Sequence, residues 1–245
     1  MKQIALVLTL ILLSQPAAAQ DLTFYGVLPA FSQTGDINSQ VKYNLFVSTT
    51  LNAFDRQING TRYPASNLKL YVQPSIIFIY SPNLNFAGSY TYQRSNPFND
   101  RYVNEHRLWQ QVIFSVPLFE GRMTNRFRFE ERFIQNRVTG KYPLFTRFRY
   151  QMGFNKPLQG RKIDPKEVYF NTYNEFYFSL TGEKNAVYSE NWTYAGFGYG
   201  IGRRGKIEIG YVLQLAVRNR RQDRQYLHLA QILWATYLQS RKNKD

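Results

Sequence analysis

The stretch Arg126–Phe133, RFRFEERF, sets charge against phenylalanine almost residue by residue. Read as a β-strand, it puts Arg126, Arg128, Glu130 and Arg132 on one face and Phe127, Phe129 and Phe133 on the other, with Glu131 as the one misfit. A soluble sandwich would turn the phenylalanines into its core. An outer-membrane barrel would turn them to lipid and the charges to its lumen. Glu131 then belongs near a membrane rim or at a bulge.

The neighbouring sequence repeats the alternation. Ten runs follow one another: Val41–Ala53, Asn67–Tyr80, Leu84–Arg94, Val103–Leu118, Thr124–Gln135, Leu144–Asn155, Val168–Leu180, Asn191–Gly202, Lys206–Val217 and Gln225–Leu238. A weaker eleventh is Leu22–Phe31. At roughly 12–15 residues they exceed the ordinary globular strand and suit tilted membrane strands whose ends project beyond the bilayer. Most runs sort cleanly, as in Phe148, Tyr150, Met152 and Phe154 against Arg147, Arg149 and Gln151. The last run, with His228 and Trp234, does not.

The tight turns at Ser81–Asn83, Phe119–Arg122 and Arg203–Gly205 follow the second, fourth and eighth of the ten runs, so they share one side. Asp55–Ser66, Ser95–Tyr102, Asn136–Tyr142, Thr181–Glu190 and Arg218–Arg224 are longer and share the other. Barrels of the outer membrane keep short turns periplasmic and long loops outside. Lys156–Glu167 is long on the short-turn side and is an exception. With every neighbour antiparallel the strand count must be even. This predicts ten strands, or twelve if Asp21–Gly35 pairs with a further strand; otherwise that segment is a periplasmic arm or plug.

The chain opens with MKQIALVLTLILLSQPAAAQ: a basic Lys2, an apolar run from Ile4 to Leu13, then Ala17–Ala19. That layout is a cleavable export signal, too short to span a bilayer. The expected organisation is a signal at 1–19, an N-terminal segment at 20–39, a barrel at 40–238 and a basic tail at 239–245. The fold class is all-β, an antiparallel transmembrane barrel of 10 to 12 strands, located in the outer membrane of a Gram-negative bacterium. The chain has no cysteine, which excludes disulfide scaffolds, thiolate metal sites and a lipid anchor on cysteine. Nineteen Tyr and 19 Phe with no long apolar run after the signal fit a barrel, where only alternate residues meet lipid. The net charge of +15 would suit nucleic acid inside a cell, but export makes anionic lipopolysaccharide or a small anionic solute the better match and excludes nucleic acid as partner.

The polar face carries Arg107, Arg126, Arg128, Arg132, Arg147 and Arg149 with Glu105, Glu130, Glu175, Glu190 and Glu208. In so narrow a barrel the two arrays are expected to meet as guanidinium–carboxylate pairs across the lumen, plugging it; the functional alternative is a selective anion path or a catalytic carboxylate site. Catalysis finds little support. The only histidines are His106, on the face opposite Glu105 and Arg107, and His228, with no serine motif near either, and no cluster has metal-ligand spacing. Neither enzyme activity, metal nor cofactor is expected. The glycines of GFGYGIGRRGK (Gly196–Lys206) alternate strictly and precede no helix, so a phosphate loop is not read there; they make room for long arginines or let the strand bend.

The segments NEHRLWQQ (Asn104–Gln111), RFRFEERF, RFRYQMGFNKPL (Arg147–Leu158), NEFYF (Asn174–Phe178), ENWTYAGFGYGIG (Glu190–Gly202) and IEIGYVLQ (Ile207–Gln214) resemble, in order and spacing, the domain-of-unknown-function family number 2490 over about Gln40–Leu238. The resemblance implies an exported outer-membrane barrel and no established activity. One departure from common barrel practice concerns the assembly machinery, an expected partner that often reads a terminal aromatic: here Tyr237 is followed by LQSRKNKD. The expected role is a non-enzymatic outer-membrane barrel, structural or passing limited solute. A lipid-modifying barrel enzyme and a soluble periplasmic β-sandwich binding an anionic ligand are the alternatives.

Overall fold

A computed structural model describes residues 21–58, 60–160, 162–181, 187–202, 204–219 and 223–238. The expected signal and basic tail lie outside the described residues, as do Arg203 and the centre of the Thr181–Glu190 connection. The strands are β1 (Leu22–Asp36), β2 (Val41–Asn52), β3 (Arg56–Ile58), β4 (Thr61–Tyr63), β5 (Ser66–Ser81), β6 (Leu84–Ser95), β7 (Val103–Leu118), β8 (Gly121–Ile134), β9 (Leu144–Pro157), β10 (Val168–Thr181), β11 (Tyr188–Gly202), β12 (Gly205–Val217) and β13 (Arg224–Leu238). All but β3 and β4 join in one closed barrel, in the order β1-β13-β12-β11-β10-β9-β8-β7-β6-β5-β2. The all-β barrel expected from the alternation is present, and its closed wall excludes the sandwich.

Eleven wall strands overturn the even count. β1 pairs antiparallel with β2 but parallel with β13, from Leu22 opposite Gln225 to Gly35 opposite Leu238. An even count is required only when every seam is antiparallel; one parallel seam removes the requirement, with a pairing slightly weaker per residue. It also places the start of β1 and the end of β13 at opposite rims. One rim gathers the short turns at 37–40, 82–83 and 119–120, the end of β11 with the start of β12, and the end of β13. The other gathers the long connections and the start of β1. Phe119 (φ 47) and Glu120 (φ 59) both occupy the left-handed region, as a two-residue type I′ hairpin turn requires. The long connection after β9 folds back along the short-turn rim, where Lys166 N donates to Gly200 O (2.7 Å) and Gly200 N to Glu167 O (3.1 Å).

Outward positions form an apolar, largely aromatic surface: Phe127 on β8, Met152 on β9, Phe197 on β11, Ile209 on β12 and Trp234 on β13 are all exposed, Ile209 to 60%. Glu131 is outward as well. It lies three residues from the end of β8 on the long-loop side, with regular register on both flanks and therefore no bulge. β13 failed to sort because both its faces are apolar. Leu227 and Leu229 are buried inside with Leu22, Phe24 and Leu28 of β1, Val212 of β12 and Tyr194 of β11, while Ile232, Trp234 and Leu238 are exposed.

The alternating glycines of β11 make room for tyrosine rings rather than arginines. A methyl group on Gly198 would fall inside the Tyr169 ring, and methyls on Gly196 and Gly210 would collide with Tyr194; both tyrosines are completely buried. Tyr169 is held by a hydrogen bond from its hydroxyl to Glu208 (2.6 Å), so it cannot simply swing aside. Gly198→Ala should cost about 1–3 kcal/mol, the usual range for overpacking. Urea unfolding of the single variant, of Tyr169→Ala and of the double should show strong coupling, with Gly198→Ala tolerated once the ring is gone.

Candidate functional site

Alternation along β7–β11 aims one side chain in two at the interior, and there the charged residues condense into a network along one wall. Glu105 accepts Arg107 Nε (2.8 Å) and Arg132 Nε (2.7 Å). Glu130, with no exposed surface, accepts Arg147 Nε and Nη2 on one oxygen (2.8 and 2.6 Å) and Arg149 Nη1 on the other (2.6 Å). Glu175 accepts Arg126 Nη2 (2.6 Å), Arg149 Nε (2.8 Å) and the Tyr177 hydroxyl (3.1 Å). Glu190 closes the chain through Arg147 Nη1 (3.0 Å) and Trp192 Nε1 (3.3 Å). Charge-assisted pairs of this geometry are strong, and each guanidinium bridges two strands or more.

These ion pairs join neighbouring and next-neighbouring strands rather than opposite sides of the lumen. β8, β9 and β10 lie side by side, so their inward residues at like height touch around the wall without crossing it. Glu208 stands apart: it accepts Tyr169, Asn171 (3.0 Å) and Lys206 (2.8 Å), among β10–β12 and away from the arginines. Arg128 has no close carboxylate; it donates to Gln111 Oε1 (2.7 and 2.9 Å), lies 3.8 Å from the Trp109 ring centroid and reaches Glu130 only at 3.7 Å. The cation that does face the network from across the barrel is Lys69 of β5, within electrostatic reach of Glu190 and Glu105. Among the described residues, seven cations thus face Glu105, Glu130, Glu175 and Glu190. Lys69 was readable in principle, because Leu68-Lys69-Leu70-Tyr71-Val72-Gln73 alternates.

The interior is tightly filled in the long-loop half, where Glu105, Arg107, Arg147, Tyr177, Leu227 and Leu229 are buried; in the short-turn half Tyr169 and Glu208 are buried while Asn44, Phe46, Thr124, Gln151 and Asn171 stay half-buried. A cap lies over the long-loop end. The loop expected at Asp55–Ser66 instead contains the β3–β4 hairpin, turning at Gly60 (φ 78), with Ile58 and Tyr63 packed on the apolar cluster and Tyr63 edge-on to Phe24 at 5.5 Å. Arg56 donates to Thr23 O (2.9 Å), and Asn52 ties both ends of the excursion through Phe54 O (3.0 Å) and Pro64 O (2.9 Å).

Asp55 clamps the hairpin, accepting Arg62 Nη2 and the Ala65 amide at 2.5 Å each. These hydrogen bonds, Arg62 first, hold the Asp55 carboxyl below its usual range. A depressed carboxylate contributes its stabilisation fully above the unfolded pKa and loses it as pH falls through the folded one. The hairpin should therefore stay closed at neutral pH and loosen only below the ordinary carboxylate range, near ~4. Hydrogen exchange over residues 56–63 checks this: it should accelerate only at the acid end, and Asp55→Asn should exchange at the faster rate throughout.

Both histidines lie on the outer face, toward the long-loop rim. His106 Nδ1 meets the Tyr90 hydroxyl (2.6 Å) and His228 Nδ1 the Tyr211 hydroxyl (2.6 Å), with Tyr25 stacked on His228 at 4.9 Å. Among the described residues no serine hydroxyl is hydrogen-bonded to either ring, and no group of three His, Asp or Glu is placed to hold a metal ion.

A family model described as "Protein of unknown function (DUF2490)" matches residues 32–225. No curated protein and no solved structure matches the chain.

Proposed function

Since the chain belongs to the DUF2490 family, whose description names no activity, we propose a role from the geometry alone: an integral outer-membrane β-barrel of Gram-negative bacteria whose lumen is closed at rest. The observation that carries this reading is the outer surface. Exposed aromatic and aliphatic side chains surround a closed wall whose interior holds the charges, the reverse of a water-soluble protein, where contiguous apolar patches rarely exceed a few hundred Å². Tyr90, Tyr92 and Tyr142 gather around His106 near one rim and Tyr80, Phe119 and Trp234 lie near the other, as interfacial girdles do.

With the short turns periplasmic, β1 begins at the outer rim and the hairpin cap faces outside. The role is structural, with lipopolysaccharide around the wall and the barrel-assembly machinery as the partner that inserts it. The excess of cations in the network favours small anions as whatever limited solute the barrel admits. Cell fractionation tests the reading: the mature chain should sediment with outer membranes and resist carbonate extraction. Recovery as a soluble periplasmic protein would overturn it.

A further inference from the structure

The outer wall carries a groove of about 580 Å³ walled by Phe78, Phe86, Phe127 and Phe148, with Gly88 and Gln110 between them. Gly88 and Gln110 are paired across β6 and β7, and Gln110 lies at the midpoint of β7. Two features have no internal explanation. A methyl on Gly88 would meet nothing nearer than the Trp109 carbonyl at 3.8 Å, so packing within the chain does not require glycine there, although glycine weakens a strand interior. And among the described residues the exposed Gln110 amide has no hydrogen-bond partner. The other polar group at mid-height on this surface, Asn174 with Asn191 and Thr193, is different, because those side chains bond to one another at 2.6 to 3.3 Å.

We propose that this groove is a homodimer interface, in which Gln110 of each copy pairs with Gln110 of the other across a two-fold axis along the membrane normal. The inference rests on the membrane reading. In hydrocarbon an unpaired amide is costly, and an acyl chain has no polar group to offer it at this depth. A second copy in the same orientation brings an identical amide to the same height, and two primary amides are self-complementary donors and acceptors, as an isologous contact requires. Gly88 lets the two walls approach, and the surrounding phenylalanines supply the packing.

The absence of cysteine makes the test clean. Full-length chain carrying Val112→Cys, beside Gln110 on the same face, is treated in native membranes with an oxidant or a short bis-maleimide; Ile209→Cys, exposed on β12 across the barrel, is the control. Val112→Cys should give a cross-linked dimer and Ile209→Cys none. Adding Gln110→Leu or Gly88→Ile should cut the dimer roughly fivefold or more. A monomer in the membrane fraction, or a dimer indifferent to both changes, would overturn the interface and leave an acyl chain as the occupant. Recovery of the chain in the soluble fraction would overturn the membrane reading and this proposal with it.

Discussion

Glu130→Gln should destabilise the barrel by on the order of 3–5 kcal/mol, the usual cost of removing one partner from a buried ionic group. Glu130 has no exposed surface, and both of its oxygens are taken by Arg147 and Arg149, with Arg107 and Arg128 within 4 Å. The amide keeps the volume and loses the charge, so cations already in excess face one another in a buried interior. Its chain neighbour supplies the control. Glu131 has the same chemistry on the outer face near the rim, and Glu131→Gln should shift stability by no more than about 0.5 kcal/mol. Urea unfolding of the barrel in detergent measures both. Equal effects at the two positions would mean that the network does not hold the fold.

Phe127→Arg separates a lipid-bound barrel from a water-soluble one. Phe127 lies at mid-height on β8, 45% exposed, with its ring against Tyr150 at 5.1 Å. In water, arginine at so open a position would be nearly neutral. At the midplane of a bilayer it should cost about 2–4 kcal/mol. Folding into lipid vesicles, followed by the urea midpoint, should therefore show a large loss, and Arg placed at exposed Phe119 in the rim turn should show a much smaller one.

The strands, their faces and the identity of most buried charges were legible because a strand turns alternate residues to opposite sides and this sequence keeps charge and aromatics on separate sides for most of its length. What escaped reading depended on partners rather than on period. Alternation looks the same whether β1 runs with β13 or against it, so the parallel seam and the odd count were invisible. The β3–β4 hairpin has strands too short for any periodicity to develop. Where the interior is apolar, at Leu227 and Leu229, both faces of β13 read alike and the pattern vanished. Which carboxylate meets which guanidinium follows from strand order, which set Glu208 apart from the arginines and brought in Lys69.

The aromatic outer face to which RFRFEERF and its neighbours contribute is expected to lie in lipid. Nitroxide labels on single cysteines placed at Ile232, Phe197 and Tyr211, all outward on different strands, test it in vesicles by comparing collision with oxygen, which concentrates in hydrocarbon, against a water-soluble nickel chelate. Oxygen should dominate at all three positions. Dominance of the nickel chelate at these sites would contradict the account.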